Sequence, residues 1–152
     1  MGEDKTVSHN RRARFDYEIL ESLEAGLVLT GTEIKAIREG RVDLSDSYAG
    51  PKDGGLWMFN AHISQYSAGN LYNHEPTRPR KLLVRKDQAR ELVRQIKEKG
   101  LTLVPLKLYL KRGHWAKVEL GVAKGRKRFD KRRAIIEKGR RREAEQAVKQ
   151  AR

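Results

Sequence analysis

The sequence predicts a β-rich α+β domain, a small barrel of short strands with helices on its surface. Three observations support this prediction. Several short runs of β-branched, aromatic and aliphatic residues are bounded by glycine-containing turns. Two segments carry apolar residues at helical spacing. The chain of 152 residues has the length of one domain with a real core, and it contains no internal repeat.

The first half of the domain is predicted to contain several strands and one short helix. Thr30 and Glu33 have the spacing of a capping box, which starts a helix, and Gly40 suits its C-terminal end. The strands and turns around it are assigned, in order, to Tyr17–Leu23, a turn at Ala25-Gly26, Leu27–Leu29, Val42–Tyr48, a turn at Asp53-Gly54-Gly55, and Leu56–Ile63.

The second half is predicted to contain a long loop, a helix and a closing hairpin. Residues 66–81 form a polar loop with two prolines, and loops of this length are often functional. Asp87–Lys99 is the clearest helix, because apolar residues recur at helical spacing and Gly100 follows it. Leu101–Leu110 and Trp115–Val122 form the hairpin.

The chain is expected to have three parts, of which the last is set apart by its charge. We expect a flexible N-terminus at residues 1–9, the barrel domain at 10–123 and a basic tail at 124–152. The tail carries most of the excess positive charge and few large apolar residues. We therefore expect it to be disordered when free and able to become helical on a partner, the alternative being an inert solubilising tail.

The net charge of +14, from 34 Lys and Arg against 20 Asp and Glu, predicts a polyanionic partner. Nucleic acid, an anionic membrane and an acidic protein all meet this description. The longest apolar runs are far too short to span a bilayer, which argues against a membrane protein. The absence of cysteine excludes disulfides and thiol catalysis and fits a cytoplasmic location.

Enzymatic motifs are missing from the sequence. No histidines have metal-ligand spacing, no glycine-rich phosphate loop is present, and no serine lies in a nucleophile elbow. We therefore expect no catalysis, no metal and no cofactor. An enzyme such as a metal-dependent nuclease on structured RNA is kept as an alternative.

Basic residues interleaved with aromatic ones point to RNA, because cations neutralise phosphates and rings stack on unpaired bases. No helix-turn-helix, zinc finger or heptad pattern for reading duplex DNA is present. The basic candidates include Arg11, Arg12, Arg14, Arg78, Arg80, Lys81, Arg85, Lys86, Lys107, Lys111, Arg112 and Lys117. The rings include Phe15, Tyr48, Tyr66, Tyr72, Tyr109 and Trp115, although the last two are weaker because strand aromatics are more often core.

Five segments, in order and with matching spacing, resemble the small protein B family of bacterial SsrA-binding proteins. They are NRRARFDYEI from Asn10, EAGLVLTGTEIKAIREGRVDLSDSYA from Glu24, PTRPRKLLVRK from Pro76, TLVPLKLYLK from Thr102 and KVELGVAKGRKRFDKR from Lys117. The resemblance implies an oligonucleotide-binding-fold-like barrel. It also implies binding to the tRNA-like part of transfer-messenger RNA (tmRNA) and its delivery to stalled ribosomes for trans-translation.

The resemblance also implies a set of partners. The tail would occupy the empty mRNA channel of the ribosome, and elongation factor Tu would be met indirectly through the RNA. A ribosome-associated or assembly protein with a similar barrel is the alternative within the binding class. It predicts tight binding to ribosomal RNA and no preference for a tRNA-like fold.

Site residues follow from the resemblance position by position. The RNA-binding face should include Asn10, Glu24, Gly26, Gly31, Glu33, Lys35, Arg38, Leu83, Lys117 and Lys124, to which the basic pattern adds Arg11, Arg12, Arg80, Lys81 and Arg85. Glu24 would accept hydrogen bonds from a base amino group or a 2′-hydroxyl, the alternative being a turn residue beside Gly26. The decoding-centre contacts would be Tyr48, Asp130, Lys131 and Arg132, with Phe15 and Phe129 where some relatives have histidine.

Overall fold

The structure, a computed structural model, describes residues 3–66 and 73–125. These residues form nine strands and three helices: β1 (Lys5–His9), α1 (Arg11–Asp16), β2 (Tyr17–Leu27), α2 (Gly31–Arg38), β3 (Val42–Asp43), β4 (Tyr48–Lys52), β5 (Gly55–Phe59), β6 (His62–Ile63), β7 (Arg80–Leu83), α3 (Lys86–Lys99), β8 (Thr102–Lys111) and β9 (Trp115–Gly125). The prediction of a strand-rich α+β protein is confirmed.

Seven strands form one antiparallel sheet in the order β1-β8-β4-β5-β7-β2-β9. Strand β9 also pairs with β8, so six strands are joined in a closed cycle of pairings and β1 lies outside it on β8. Strands β3 and β6 form a separate two-stranded sheet. The long strands β2, β8 and β9 form most of the backbone pairing in this sheet.

The core lies inside the closed cycle of strands. Alternate residues of β9, namely Val118, Leu120 and Val122, are almost completely buried, as the two-residue period of a strand requires. Helix α2 contributes Ile37 and helix α3 contributes Leu92 to the same cluster. Each helix therefore buries one face against the sheet and leaves its other face to solvent.

Local signals in the sequence set several boundaries correctly. The side chain of Thr30 accepts a hydrogen bond from the backbone of Glu33, and the Glu33 carboxylate accepts one from the backbone of Thr30. Gly100 ends α3 in the left-handed conformation at φ 63°. Asp53 and Gly54 both have positive φ, as expected for the two central residues of a tight hairpin turn.

The turn predicted at Ala25-Gly26 is wrong. Strand β2 runs unbroken to Leu27, and its pairing with β9 extends from Tyr17 opposite Gly125 to Gly26 opposite Lys117. A long partner strand supplies hydrogen bonds to the backbone at this point, so the small residues do not cause a reversal. Ala25 points into the core instead.

Two strands predicted in the middle of the chain are shorter than expected. The segment Val42–Tyr48 contains only the two-residue β3, because Ser47 N–H bonds to the Leu44 carbonyl in a turn. The segment Leu56–Ile63 is broken at Asn60, whose φ of 59° ends β5. The residues after it pair in the other sheet as β6.

Four elements were not predicted, among them β4 (Tyr48–Lys52), which overlaps the predicted strand Val42–Tyr48 only at its first residue. Lys5–His9, expected to be flexible, form β1 against β8, and Arg11–Asp16 form α1. Arg80–Leu83, at the end of the predicted loop, form β7 between β5 and β2. Strand β9 continues to Gly125, two residues beyond the predicted end of the domain. The predicted tail from residue 126 onward lies outside the described residues.

Candidate nucleic-acid interface

Three of the predicted site residues meet on the outer face of the sheet, where β2 is paired on both sides. Gly26 lies opposite Leu83 of β7 and opposite Lys117 of β9. A Cβ at Gly26 would lie 3.2 Å from Leu83 Cβ and 3.5 Å from Lys117 Nζ, so glycine allows these side chains to approach. Leu83 is 52% exposed although it is aliphatic. We call Glu24, Gly26, Leu83 and Lys117 the β2 face.

Glu24 belongs to the β2 face because it lies two residues before Gly26 on the same strand. The hydroxyl of Tyr109 donates a hydrogen bond to its Oε2, and Lys111 Nζ lies 3.0 Å from its Oε1. The Tyr109 and Lys111 hydrogen bonds hold the pKa of Glu24 below its usual value. The carboxylate is therefore an ordered, ionised acceptor that stays accessible to a ligand.

Tyr109 itself is more than a core aromatic. Burial, together with the neighbouring Glu24 carboxylate, raises the pKa of Tyr109, so its hydroxyl remains a proton donor. Lys107 Nζ lies 5.3 Å from the centre of its ring, and the same ammonium lies 3.7 Å from Glu119 Oε2. Sequence reasoning ranked Tyr109 low. The alternation of Lys107, Tyr109 and Lys111 along β8 was the signal that these side chains share one face.

Two predicted RNA-binding residues form a buried ion pair instead of facing solvent. Glu33 and Arg80 are both fully buried, and Arg80 Nε donates a hydrogen bond to Glu33 Oε2. Burial alone would raise the pKa of Glu33, but hydrogen bonds from Arg78, the Thr30 backbone and Arg80 hold it below its usual value. Arg80 also donates to two backbone carbonyls, at Ala61 and Pro76. The pair joins α2 to β7, and neither side chain is exposed to a partner.

Asn10 is a third predicted RNA-binding residue that the structure buries. Its side-chain oxygen accepts a hydrogen bond from Ala13 N–H at 3.1 Å, which caps the start of α1. Its amide donates to the Pro105 carbonyl at 2.8 Å. Both polar ends are satisfied within the protein, so Asn10 fixes helix α1 on strand β8.

The remaining predicted RNA-binding residues, Gly31 and several cations, are exposed but lie on separate elements. Gly31, Lys35 and Arg38 lie on α2, where Lys35 Nζ is 5.3 Å from the centre of the Tyr66 ring. Arg11 and Arg12 lie on α1, and Arg12 pairs with Asp16 at 3.3 Å. Three further predicted cations are exposed elsewhere. Lys81 lies on β7, Arg85 precedes α3, and Lys124 lies near the end of β9.

Two of the predicted decoding-centre residues are exposed aromatic rings. Phe15 is 38% exposed on α1, and Tyr48 is 43% exposed at the start of β4, where it stacks on Phe59. An ion pair of 3.6 Å between Arg12 and Asp46 ties α1 to the turn that precedes Tyr48. The other four, Phe129, Asp130, Lys131 and Arg132, lie outside the described residues.

The described residues contain no cluster of three or more His, Asp or Glu side chains placed to hold a metal ion. No helix among residues 3–66 and 73–125 is long and apolar enough to cross a bilayer. Hydrogen bonding, ion pairing, apolar contact and aromatic stacking are interactions that the exposed faces offer to a ligand.

These features define a strand-rich α+β protein whose antiparallel sheet displays a cation, an aliphatic side chain and an ordered carboxylate on one outer face. The chain belongs to the SmpB family, because the family model described as SmpB protein matches residues 7–150. It is 54% identical over 148 residues to the SsrA-binding protein of Shouchella clausii (strain KSM-K16), an alignment that covers 97% of this chain and 94% of that protein.

Two further comparisons agree with this assignment. The SsrA-binding protein of Thermosynechococcus vestitus (strain NIES-2133 / IAM M-273 / BP-1) is 53% identical over 152 residues, which cover 99% of each protein. A chain of a solved structure described as "tmRNA-SmpB: a journey to the center of the bacterial ribosome" is 47% identical, with a TM-score of 0.67. That match covers 84% of this chain and 93% of the other.

Proposed function

We propose that this protein binds the tRNA-like domain of tmRNA and delivers it to stalled ribosomes for trans-translation. The observation that carries the proposal is the β2 face. Its four residues, which the family resemblance implies as RNA-binding positions, lie side by side on the neighbouring strands β7, β2 and β9. Membership of the SmpB family and the likeness to a chain from a tmRNA-SmpB ribosome structure support it. The proposed role is that of a cytoplasmic binding factor without catalysis.

The chemistry of the β2 face suits folded RNA. Lys117 supplies a cation for a phosphate, while the ordered Glu24 carboxylate can accept a hydrogen bond from a base amino group or a 2′-hydroxyl. Gly26 lets the side chains of Leu83 and Lys117 lie close together over the strand, and exposed Leu83 gives an apolar contact beside the cation. Because a fixed acceptor lies next to a cation, the face favours a ligand that presents a hydrogen-bond donor beside a phosphate. A uniformly basic surface would not make this distinction.

The closed cycle of strand pairings supports an oligonucleotide-binding-fold-like barrel as the scaffold of this face. In this proposal, residues 124–152 become helical on the ribosome and occupy the empty mRNA channel. Phe15 and Tyr48, together with Phe129, Asp130, Lys131 and Arg132, make the decoding-centre contacts. Elongation factor Tu is met only through the RNA.

The β2 face is tested by a matched pair of leucine variants. Leu83 and Leu20 are each 52% exposed, but Leu20 is not part of the β2 face. We expect Leu83→Ala to weaken binding to the tRNA-like fragment by about tenfold, the scale of one good apolar contact, and Leu20→Ala to change it little. Fluorescence anisotropy with the labelled fragment measures both.

Specificity is tested with the unmodified chain. The same assay with a duplex RNA and an unstructured RNA of equal length should give clearly weaker binding than the tRNA-like fragment. Equal affinity for all three RNAs, or equal effects of the two leucine variants, would show that the face does not recognise a tRNA-like shape.

A further inference from the structure

A groove outside the β2 face opens where two neighbouring strands separate. Strands β5 and β7 pair only at Trp57 with Lys81 and at Met58 with Arg80, and their pairing stops before Leu56 and Leu82. The hairpin of β4 and β5, the end of β7 and helix α3 enclose a groove of about 830 Å³ there. This volume lies within the roughly 300–1,000 Å³ typical of ligand sites.

The groove has an aliphatic floor and a cationic rim. Its floor is formed by Leu56, Leu82, Val84, Ala89 and Val93. Its rim carries five cations, namely Lys52, Lys81, Lys86, Arg90 and Lys97, against a single carboxylate, Asp53, among the described residues that line it. Apolar contact and positive charge are therefore offered together along one helix face.

The rim cations are not neutralised within the described part of the protein. Lys81, Lys86, Arg90 and Lys97 make no ion pair with a described residue. The ion pairs within helix α3 lie outside the groove. Arg94 bonds there to Glu91 at 2.6 Å and to Glu98 at 2.8 Å. The charges on the groove side are thus free to meet an external anion.

The floor distinguishes a peptide from a nucleic acid as the occupant. Unpaired RNA bases are held by aromatic stacking, and no aromatic side chain is found among the described residues that line this groove. The nearby Trp57 ring is already covered by Lys52, whose Nζ lies 4.9 Å from the ring centre. Aliphatic side chains flanked by cations match a peptide that presents aliphatic and acidic side chains on one face.

We propose that this groove binds an acidic, amphipathic peptide segment of a partner protein. The aliphatic side chains of the peptide lie on Val84, Ala89 and Val93, and its carboxylates pair with Arg90 and Lys97. This interaction is separate from RNA binding by the β2 face, although Leu83 lies at the border of both surfaces.

The experiment uses the full chain and two double charge reversals. The groove variant is Arg90→Glu/Lys97→Glu, and the matched control is Arg41→Glu/Lys99→Glu, which changes the net charge equally at exposed positions outside the groove. A displayed library of short random peptides is selected on the unmodified protein. The selected peptides are then synthesised and measured by fluorescence anisotropy on all three proteins, each checked for folding by circular dichroism.

Support requires four results together. The selected peptides combine acidic and aliphatic residues, the groove variant weakens them by about tenfold or more, and the control variant changes them less than about twofold. If the groove variant fails to fold, Arg90→Gln/Lys97→Gln replaces it, with the same expectation. The affinity for the tRNA-like RNA must be the same in the groove variant and the control.

Any of three results would overturn the proposal. Selected peptides that lack acidic residues, or that bind the groove variant as well as the control, would show that the rim does not recognise such a peptide. A loss of RNA affinity confined to the groove variant would assign the groove to RNA. Because the RNA measurement on the unmodified chain is separate, failure here leaves the test of the β2 face unaffected.

Discussion

The hydroxyl of Tyr109 on β8 donates a hydrogen bond to the carboxylate of Glu24 on β2, above the strand that separates them. The two residues lie 85 positions apart in the sequence. Tyr109 is paired with Lys117 on β9, and Lys117 is paired with Gly26. The bond therefore fixes Glu24 directly beside the other residues of the β2 face.

Replacing Tyr109 by Phe should release Glu24 without disturbing the sheet. The pKa of Glu24 should rise, because the hydrogen bond that does most to lower it is lost. RNA affinity should fall by roughly threefold to tenfold, less than the full worth of a hydrogen bond to a charged group, since only the orientation of the acceptor is lost. NMR titration of the carboxylate and fluorescence anisotropy measure the two effects. Tyr17→Phe is the control, and an unchanged Glu24 pKa would contradict the assignment.

Gly26 and Gly31 offer a comparison of two glycines in the same predicted site. A Cβ at Gly26 would lie 3.2 Å from Leu83 Cβ, whereas a Cβ at Gly31 would meet nothing within 4 Å. Gly26→Ala should lower RNA affinity by displacing Leu83 and Lys117, with a loss of stability of about 1 kcal/mol from overpacking. Gly31→Ala, in the first turn of α2, should leave stability unchanged or raise it by about 0.5 kcal/mol. Thermal unfolding and anisotropy separate these outcomes, and equal effects of both variants would count against close approach at Gly26.

The buried pair of Glu33 and Arg80 predicts a large structural effect. Glu33→Gln should destabilise the fold by about 3–5 kcal/mol, because Arg80 is left as a buried charge without its partner. Urea denaturation measures the change. Arg94→Gln, which breaks exposed pairs with Glu91 and Glu98, is the control and should change the free energy of unfolding far less.

The same pair predicts how stability depends on pH. The pKa of Glu33 is lower in the folded protein than its ordinary value of 4.5, so its contribution is complete above that value. It is lost as the pH falls through the lower folded pKa. Below about pH 5 the stability of the unmodified protein should therefore decline more steeply than that of Glu33→Gln. Parallel declines would show that Glu33 does not titrate with folding.

Lys117 should contribute to the salt dependence of RNA binding. If its ammonium contacts a phosphate, Lys117→Gln should reduce the slope of log affinity against log salt by about 0.7–0.9. Lys99→Gln, an equal loss of charge on α3 outside the β2 face, should leave the slope nearly unchanged. A reduced affinity with an unchanged slope would mean that Lys117 contacts a neutral group.

A chain that ends after Gly125 should separate RNA capture from work on the ribosome. Strand β9 would remain complete, because its last residue is Gly125. We expect the affinity for the tRNA-like fragment to fall by less than about tenfold through the lost general charge, while peptide tagging in a reconstituted translation reaction falls to background. Parallel losses of binding and tagging would refute this division of labour.

Signals carried by neighbouring residues predicted their elements well. The Thr30–Glu33 capping box, the Asp53-Gly54 turn and the Gly100 helix end each depend on local backbone chemistry, and each is found in the structure. Strands β1 and β7 were missed, because they are only five and four residues long and exist through pairing with distant strands. The small residues at Ala25-Gly26 were misinterpreted for the same reason.

In the candidate site, too, the sequence indicated individual residues but not the contacts between residues far apart in the chain. Family resemblance named Glu24, Gly26, Leu83 and Lys117, and the structure brings them together on one face. Charge alone suggested that Arg80 is exposed, yet its partner Glu33 lies 47 residues earlier and both are buried. No rule of spacing along the chain reveals a partnership of that kind, and the bond from Tyr109 to Glu24 is equally long-range.

Strand β8 pairs with three other strands, although a strand has only two edges. One edge pairs with β9 along almost its whole length, while the other is shared between Ala49 of β4, opposite Leu103, and β1 from Lys107 to Leu110. Without β1, the second half of β8 would present bare amide and carbonyl groups that invite pairing with another molecule. Pairing with β1 satisfies these backbone groups, and Val7 of β1 also packs against the core, so the first strand covers β8 both through its backbone and through a side chain.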